Sequence, residues 1–97
     1  MSEMRLNEVV MAGRISQGPI RTDDGLVHFM FDAARNSDPF HCVCDGRTAE
    51  NLLEHCSQGD EASIEGILCW MDFPNTGKEL VIYTRYTSYG RKSSTLR

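Results

Sequence analysis

Aromatic rings and cationic side chains interleave towards the end of the chain, where Tyr83, Tyr86 and Tyr89 alternate with Arg85, Arg91 and Lys92. Flat rings beside cations suit stacking on bases combined with phosphate contact. Phe40, Trp70 and Phe73 supply further rings, and Arg14, Arg21, Arg35, Arg47 and Lys78 supply further cations. The planar fork of arginine holds phosphate oxygens bidentately, so such a set spread over a curved sheet can track a polyanion. Each cation also reads singly as a surface charge, Trp70 as a core or interface residue, and the last strand as a solvated basic end. Competing chemistries are poorer. His41, Cys42, Cys44, His55 and Cys56 could be gathered into a zinc site, but Cys-x-Cys and His-Cys pairs lack the paired loop spacing of structural zinc modules. Cys42 and Cys44, two apart in a strand, point to one face and pack as small hydrophobes. His28, His41 and His55 read as scattered structural or solvated residues. With no Gly-rich phosphate loop, no Ser-His-Asp order and no paired carboxylates in a cleft, the expectation is a protein that is not an enzyme and takes no metal and no cofactor.

Composition bounds this chemistry. Ninety-seven residues make one domain, because neither half would enclose enough interior alone. A chain 40% hydrophobic and 25% charged is ordinary for a folded domain and far from the signature of disorder. No apolar run reaches the roughly 20 residues that span a bilayer, and Met1-Ser2-Glu3-Met4-Arg5 opens no signal-peptide core, so no membrane contact and a cytoplasmic location are expected. Four cysteines in such a chain read as reduced thiols. The formal net charge of −4 argues against strong nonspecific DNA binding by the whole surface, since that binding draws on Lys and Arg neutralising phosphates. The sign reverses locally: after Glu79 no acidic residue follows.

The elements that must position these residues are short and glycine-punctuated. Residues 6–15 read as a first strand bent at Gly13 and ended by Ser16-Gln17-Gly18-Pro19. Thr22-Asp23-Asp24-Gly25 supplies a tight hairpin turn into a second strand over 26–34. Asn36-Ser37-Asp38-Pro39 is a loop, and residues 40–45 a third strand. Thr48 caps a helix whose inward stripe is Ala49, Leu52, Leu53 and Cys56, and Gly59 stops it. A fourth strand over 61–71 turns at Pro74-Asn75-Thr76-Gly77 into a fifth over 80–87, and 90–97 form a short polar basic tail after a domain of residues 1–89. Alternation places Ile64, Gly66 and Leu68 inside, and Glu65, Ile67, Cys69, Met71 and Phe73 on an outer face rich in apolar area. Such a patch marks a protein interface, or a surface buried by another subunit. Three strands, a helix and two strands are the order of an OB-fold, a mainly β, five-stranded Greek-key barrel with one α-helix.

At this point the chain resembles the bacterial single-stranded DNA-binding protein family. The resemblance rests on Asn7-x-Val9-x-Met11-x-Gly13-Arg14-Ile15, Gly18-Pro19-Ile20-Arg21, Gly46-Arg47-Thr48-Ala49-Glu50-Asn51-Leu52 and Ile64-Glu65-Gly66-x-Leu68, in order from Asn7 to Tyr86. It is also similar to the shortened, dimeric primosomal replication protein B group. The resemblance implies a homodimer or homotetramer of barrels binding single-stranded DNA during replication, repair or recombination alongside replication or repair proteins; RNA is a rival ligand, since barrels of this kind accept either. Three positions bear on the mechanism. Asp45 stands where the family usually places a stacking phenylalanine, Pro39 stands where it commonly places tryptophan, and the loop before the third strand is short. Phe73 keeps the third aromatic.

The resulting expectation is nucleic-acid contact through Arg14, Arg21, Arg35, Phe40, Arg47, Trp70, Phe73, Lys78 and Arg85, weaker than in full-length family members. The alternative is a protein-interaction module that kept the barrel and exchanged base platforms for an apolar and acidic surface.

Overall fold

The computed structural model describes residues 8–33 and 38–89. Five strands and one helix follow in the order β1 (Glu8–Arg21), β2 (Val27–Asp32), β3 (Phe40–Cys44), α1 (Gly46–His55), β4 (Glu61–Phe73) and β5 (Gly77–Tyr89). The strands close into a barrel with the spatial order β1-β2-β3-β5-β4, the OB-fold arrangement expected from the element order. Closure needs one parallel join, between β3 and β5, through Cys42↔Ile82 and Val43↔Tyr83. The predicted tail from Gly90, and Asn7 of the resemblance, lie outside the described residues.

β1 is longer than its sequence suggests because it serves two neighbours. Its first half, Glu8 to Arg14, pairs with β4, and its second half, Arg14 to Arg21, pairs with β2. The Ser16–Pro19 cluster therefore does not end the strand. It falls where the ladder to β2 shifts register between Ile15 and Ile20, and such irregularities bend a strand around a barrel. The expected bend at Gly13 has a steric basis: a Cβ there would run into the Asp32 carbonyl oxygen and the Ala33 Cα. Gly66 is in the same position against the Tyr83 carbonyl, beside the shift in the β4–β5 ladder.

The interior is filled by alternate residues. Val27, Phe29 and Phe31 of β2, Cys42 and Cys44 of β3, Ile64 of β4 and Ile82 of β5 are all buried in one cluster with Ile15. Phe29 and Phe31 meet edge to face, 6.4 Å between ring centroids, a preferred aromatic geometry. Burial pushes the Cys42 and Cys44 thiols up to about 12, so both pack as hydrophobes rather than reacting as thiolates.

α1 closes one end of the barrel with Ala49 and Leu52, followed by Cys56. Leu53, expected on the same stripe, is 37% exposed; the buried arc is narrower because the helix rests chiefly on β5 and β1. The cap also differs from expectation. The helix starts at Gly46 with Asp45 in extended conformation at the N-cap, and Thr48 lies inside the first turn, where its hydroxyl donates to the Arg85 carbonyl at 2.8 Å. The helix stops before Cys56, and Gly59 belongs to the following turn, where its N–H donates to the Ile15 carbonyl at 2.7 Å. β4 and β5 form a long hairpin paired from Ala62↔Tyr89 to Phe73↔Gly77, extending both strands beyond their predicted ends.

Candidate nucleic-acid interface

Oligonucleotide-binding barrels use the outer face of the second and third strands, with the hairpins joining strands one to two and four to five. In this chain that surface runs from the β1–β2 hairpin (Thr22 to Leu26), across β2 and β3, to the β4–β5 hairpin at Pro74 to Thr76. The β1–β2 turn is closed by Gly25 N–H donating to the Thr22 carbonyl at 3.0 Å, and Thr22 N–H donating to that of Leu26 at 2.9 Å. One oxygen of Asp24 accepts from the Thr22 hydroxyl and from Leu26 N–H, and these bonds hold its carboxyl below the usual carboxylate range.

Since Val27, Phe29 and Phe31 point inward, His28 and Met30 point outward, and His41 is paired opposite Met30 on β3. The two imidazoles meet, His28 Nδ1 to His41 Nε2 at 2.9 Å, and His41 Nδ1 lies 2.8 Å from Glu79 Oε1 on β5. Phe73 folds back from the end of β4 over both rings, with centroids 5.5 Å from each and stacked on His41. His41 and Thr76 hold the Glu79 carboxyl below its usual range, while burial and the neighbouring His41 lower that of His28. An open cleft of about 460 Å³ lies here, lined by both histidines, Phe73, Asn75, Thr76 and three carboxylates, Asp23, Asp24 and Glu79; among the described residues no Lys or Arg lines it.

The sequence-predicted residues divide over the surface. Phe73 is half-buried against the imidazoles, whereas Trp70, 63% exposed, lies on the opposite face of β4, paired with Leu80 and two residues from Asp72↔Lys78. Phe40, 42% exposed, opens β3 opposite Phe31. Arg14 is tied down at the turn before β4, donating to the Gly59 carbonyl at 2.9 Å and to Glu61 Oε2 at 3.1 Å. Arg21 is exposed at the end of β1, Arg47 in the first turn of α1, and Arg85 on β5. Arg35 lies outside the described residues. Asp45 has acquired a partner: it accepts from the Tyr83 hydroxyl at 2.7 Å, and that hydrogen bond, helped by burial, raises the Tyr83 pKa above the ordinary phenol value.

Two expectations change. The outer face of β4 is not an open apolar patch, because Ile67, Cys69, Met71 and Phe73 are each half-buried within one copy of the chain. Val43 and Val81, outside the barrel's core cluster, are fully buried as well. Among the described residues the large exposed apolar side chains are instead Val10, Ile20, Phe40, Leu53, Trp70, Leu80 and Tyr86. His28 and His41, read as scattered, are bonded neighbours. Alternation on each strand put both on the outer face, but only the β2–β3 register brings them together.

The strand order, the shared first strand and the capping helix can be compared with known folds. The small single-stranded DNA-binding protein of Streptomyces coelicolor superposes with a TM-score of 0.71 at 17% identity, covering 90% of this chain and 94% of that one. The fold is that of single-stranded DNA-binding domains. The SSB domain of a Synechococcus protein gives a TM-score of 0.68 at 16% identity, covering 90% of this chain and 99% of that one. A mitochondrial single-stranded DNA-binding protein of S. cerevisiae gives 0.67 at 13% identity, covering 89% and 96%. No protein-family model and no curated protein sequence matches the chain. The likeness therefore lies in backbone architecture and extends over nearly the whole barrel.

Proposed function

We propose that this chain binds single-stranded DNA without catalysing a reaction. What carries the reading is a barrel that superposes on single-stranded DNA-binding domains over nine-tenths of its length and still leaves rings open to solvent. Trp70, Phe40 and Tyr86 are exposed, and Phe73 offers an edge beside the cleft. Stacking on such rings is worth about 1–3 kcal/mol per base and is indifferent to sequence. Arg21, Arg47, Lys78 and Arg85 are exposed for phosphate contact, while Arg14 is occupied by Glu61 and Gly59. The net charge of −4 and the carboxylates around Phe73 make the binding weak and strongly salt-dependent. A role in replication, repair or recombination, a cytoplasmic setting and assembly as a homodimer or homotetramer complete the proposal. The test is a mobility shift with short DNA and RNA oligonucleotides at low and moderate salt. Binding at low salt that fades with added salt supports the reading, and no binding at low salt rejects it.

A second reading has its own observation. Among the described residues the cleft beside Phe73 carries three carboxylates and no Lys or Arg, and Val10 and Ile20 are exposed, which suits a protein partner better than a polyanion. On that reading the barrel is an interaction module of the replication machinery, and the same mobility shift separates the two.

A further inference from the structure

The imidazole pair has a proton inventory that its hydrogen bonds determine. Glu79 is ionised at neutral pH, so the His41 nitrogen facing it, Nδ1, must carry the hydrogen. A neutral His41 then presents a lone pair at Nε2, and His28 must donate to it from Nδ1. That leaves His28 Nε2 bare. This nitrogen is buried without a hydrogen-bond partner and lies 3.9 Å from Asp24 Oδ2, the carboxylate oxygen that the turn does not use. At neutral pH a lone pair therefore faces a negative oxygen across a gap just too wide for a hydrogen bond.

We propose that Asp24, His28, His41 and Glu79 form a one-proton latch that, on acidification, ties the β1–β2 hairpin through the two imidazoles to β5. A single proton taken up from solvent at His28 Nε2 completes a continuous chain: Asp24 carboxylate, two imidazoles that share one positive charge across the hydrogen bond between them, Glu79 carboxylate. No existing hydrogen bond breaks, and the four side chains pass from two negative charges to one. A second proton would have to enter at His41 Nε2 and break the bond between the rings, so the latch takes one. Among the described residues, the hairpin brings Asp23 and Asp24 to His28, β1 brings the uncharged Gln17 and Ile20, β3 brings His41, β5 brings Glu79, and β4 brings the neutral ring of Phe73; Lys78 lies on the other face, opposite Asp72. Asp24 belongs to the hairpin and Glu79 to β5 beside the other hairpin, so completing the chain draws together the two rims of the cleft.

The latch is tested on the free full-length protein, apart from any question of nucleic acid. Long-range proton–nitrogen spectra of the histidine rings, recorded from pH 8 to pH 5, read the tautomers directly. Both rings should carry their hydrogen on Nδ1 at pH 8, the minority form of free imidazole. On acidification His28 Nε2 should gain a proton while the amide signals of Thr22 to Leu26 move along the same curve. Asp24→Asn keeps an oxygen for Thr22 and Leu26 and can place an N–H against His28 Nε2, so the midpoint of that curve should move to lower pH. An Nε2–H tautomer in either ring at pH 8 overturns the proposal, as do two independent ring titrations with the hairpin amides unmoved.

Discussion

The two faces of β2 and β3 are built from alternate residues of the same short strands and have opposite chemistry. Inward, Val27, Phe29, Phe31, Cys42 and Cys44 form a dry surface with thiols too buried to ionise. Outward, His28 and His41 sit half-buried between Asp24 and Glu79 under the ring of Phe73. The inner face determines that a barrel forms, and the outer face determines what the barrel can touch. Architecture can therefore match single-stranded DNA-binding domains closely while the contact chemistry departs from that of a cationic groove.

The sharpest way to break this contrast is to damage each face in turn. Phe29→Ala should lower stability by about 3–5 kcal/mol, because it empties a fully enclosed ring site, and chemical denaturation measures it directly. Leu52→Ala should cost about 2–5 kcal/mol by the same route. On the exposed surface the effect should move from stability to affinity. Trp70→Ala should weaken oligonucleotide binding by roughly 5- to 150-fold, the equivalent of about 1–3 kcal/mol for one stacked base, with an unchanged denaturation midpoint. Phe73→Ala should lower both quantities, since that ring also covers the imidazole pair.

Much of the inner face was legible in the sequence. Alternation over Ile64, Gly66 and Leu68 assigned the inside of β4, and Ala49, Leu52 and Cys56 marked the helix stripe, because burial imposes a period that composition records. What escaped depends on neighbours. Ser16–Pro19 has the residues of a turn, yet closing the barrel requires β1 to run through them and pair on both sides. Thr48 has the chemistry of a cap, but Arg85 of β5 takes its hydroxyl. The cluster of His28, His41, Glu79 and Asp24 draws one residue from each of four separate segments, so no local pattern contains it.

Acid should weaken the fold steadily, and the sign follows from three groups on the outer face. Asp24 and Glu79 titrate below their ordinary values in the folded state, so their stabilisation is present above the unfolded values near 4 and is lost as pH falls through the folded ones. His28 is also lowered, because burial costs its charged form more than Asp24 and Glu79 return, so below about pH 6.5 the unfolded chain takes up a proton that the folded chain resists, and stability falls there even as the latch closes. Urea midpoints at pH 7, 5.5 and 4 should therefore decrease in that order. The smallest expected effect is that of Leu53→Ala, within about 0.5 kcal/mol, because the side chain lies outside the buried arc of α1. A loss as large as that of Leu52→Ala would place Leu53 inside the core.

The most direct measurement uses the one tryptophan of the chain, Trp70, as its own reporter. Titrating the protein with a short single-stranded DNA at low salt should quench its fluorescence in a saturable way, and raising the salt should restore it. Undiminished fluorescence together with no complex by mobility shift at low salt would contradict the account and leave the barrel as a platform for proteins.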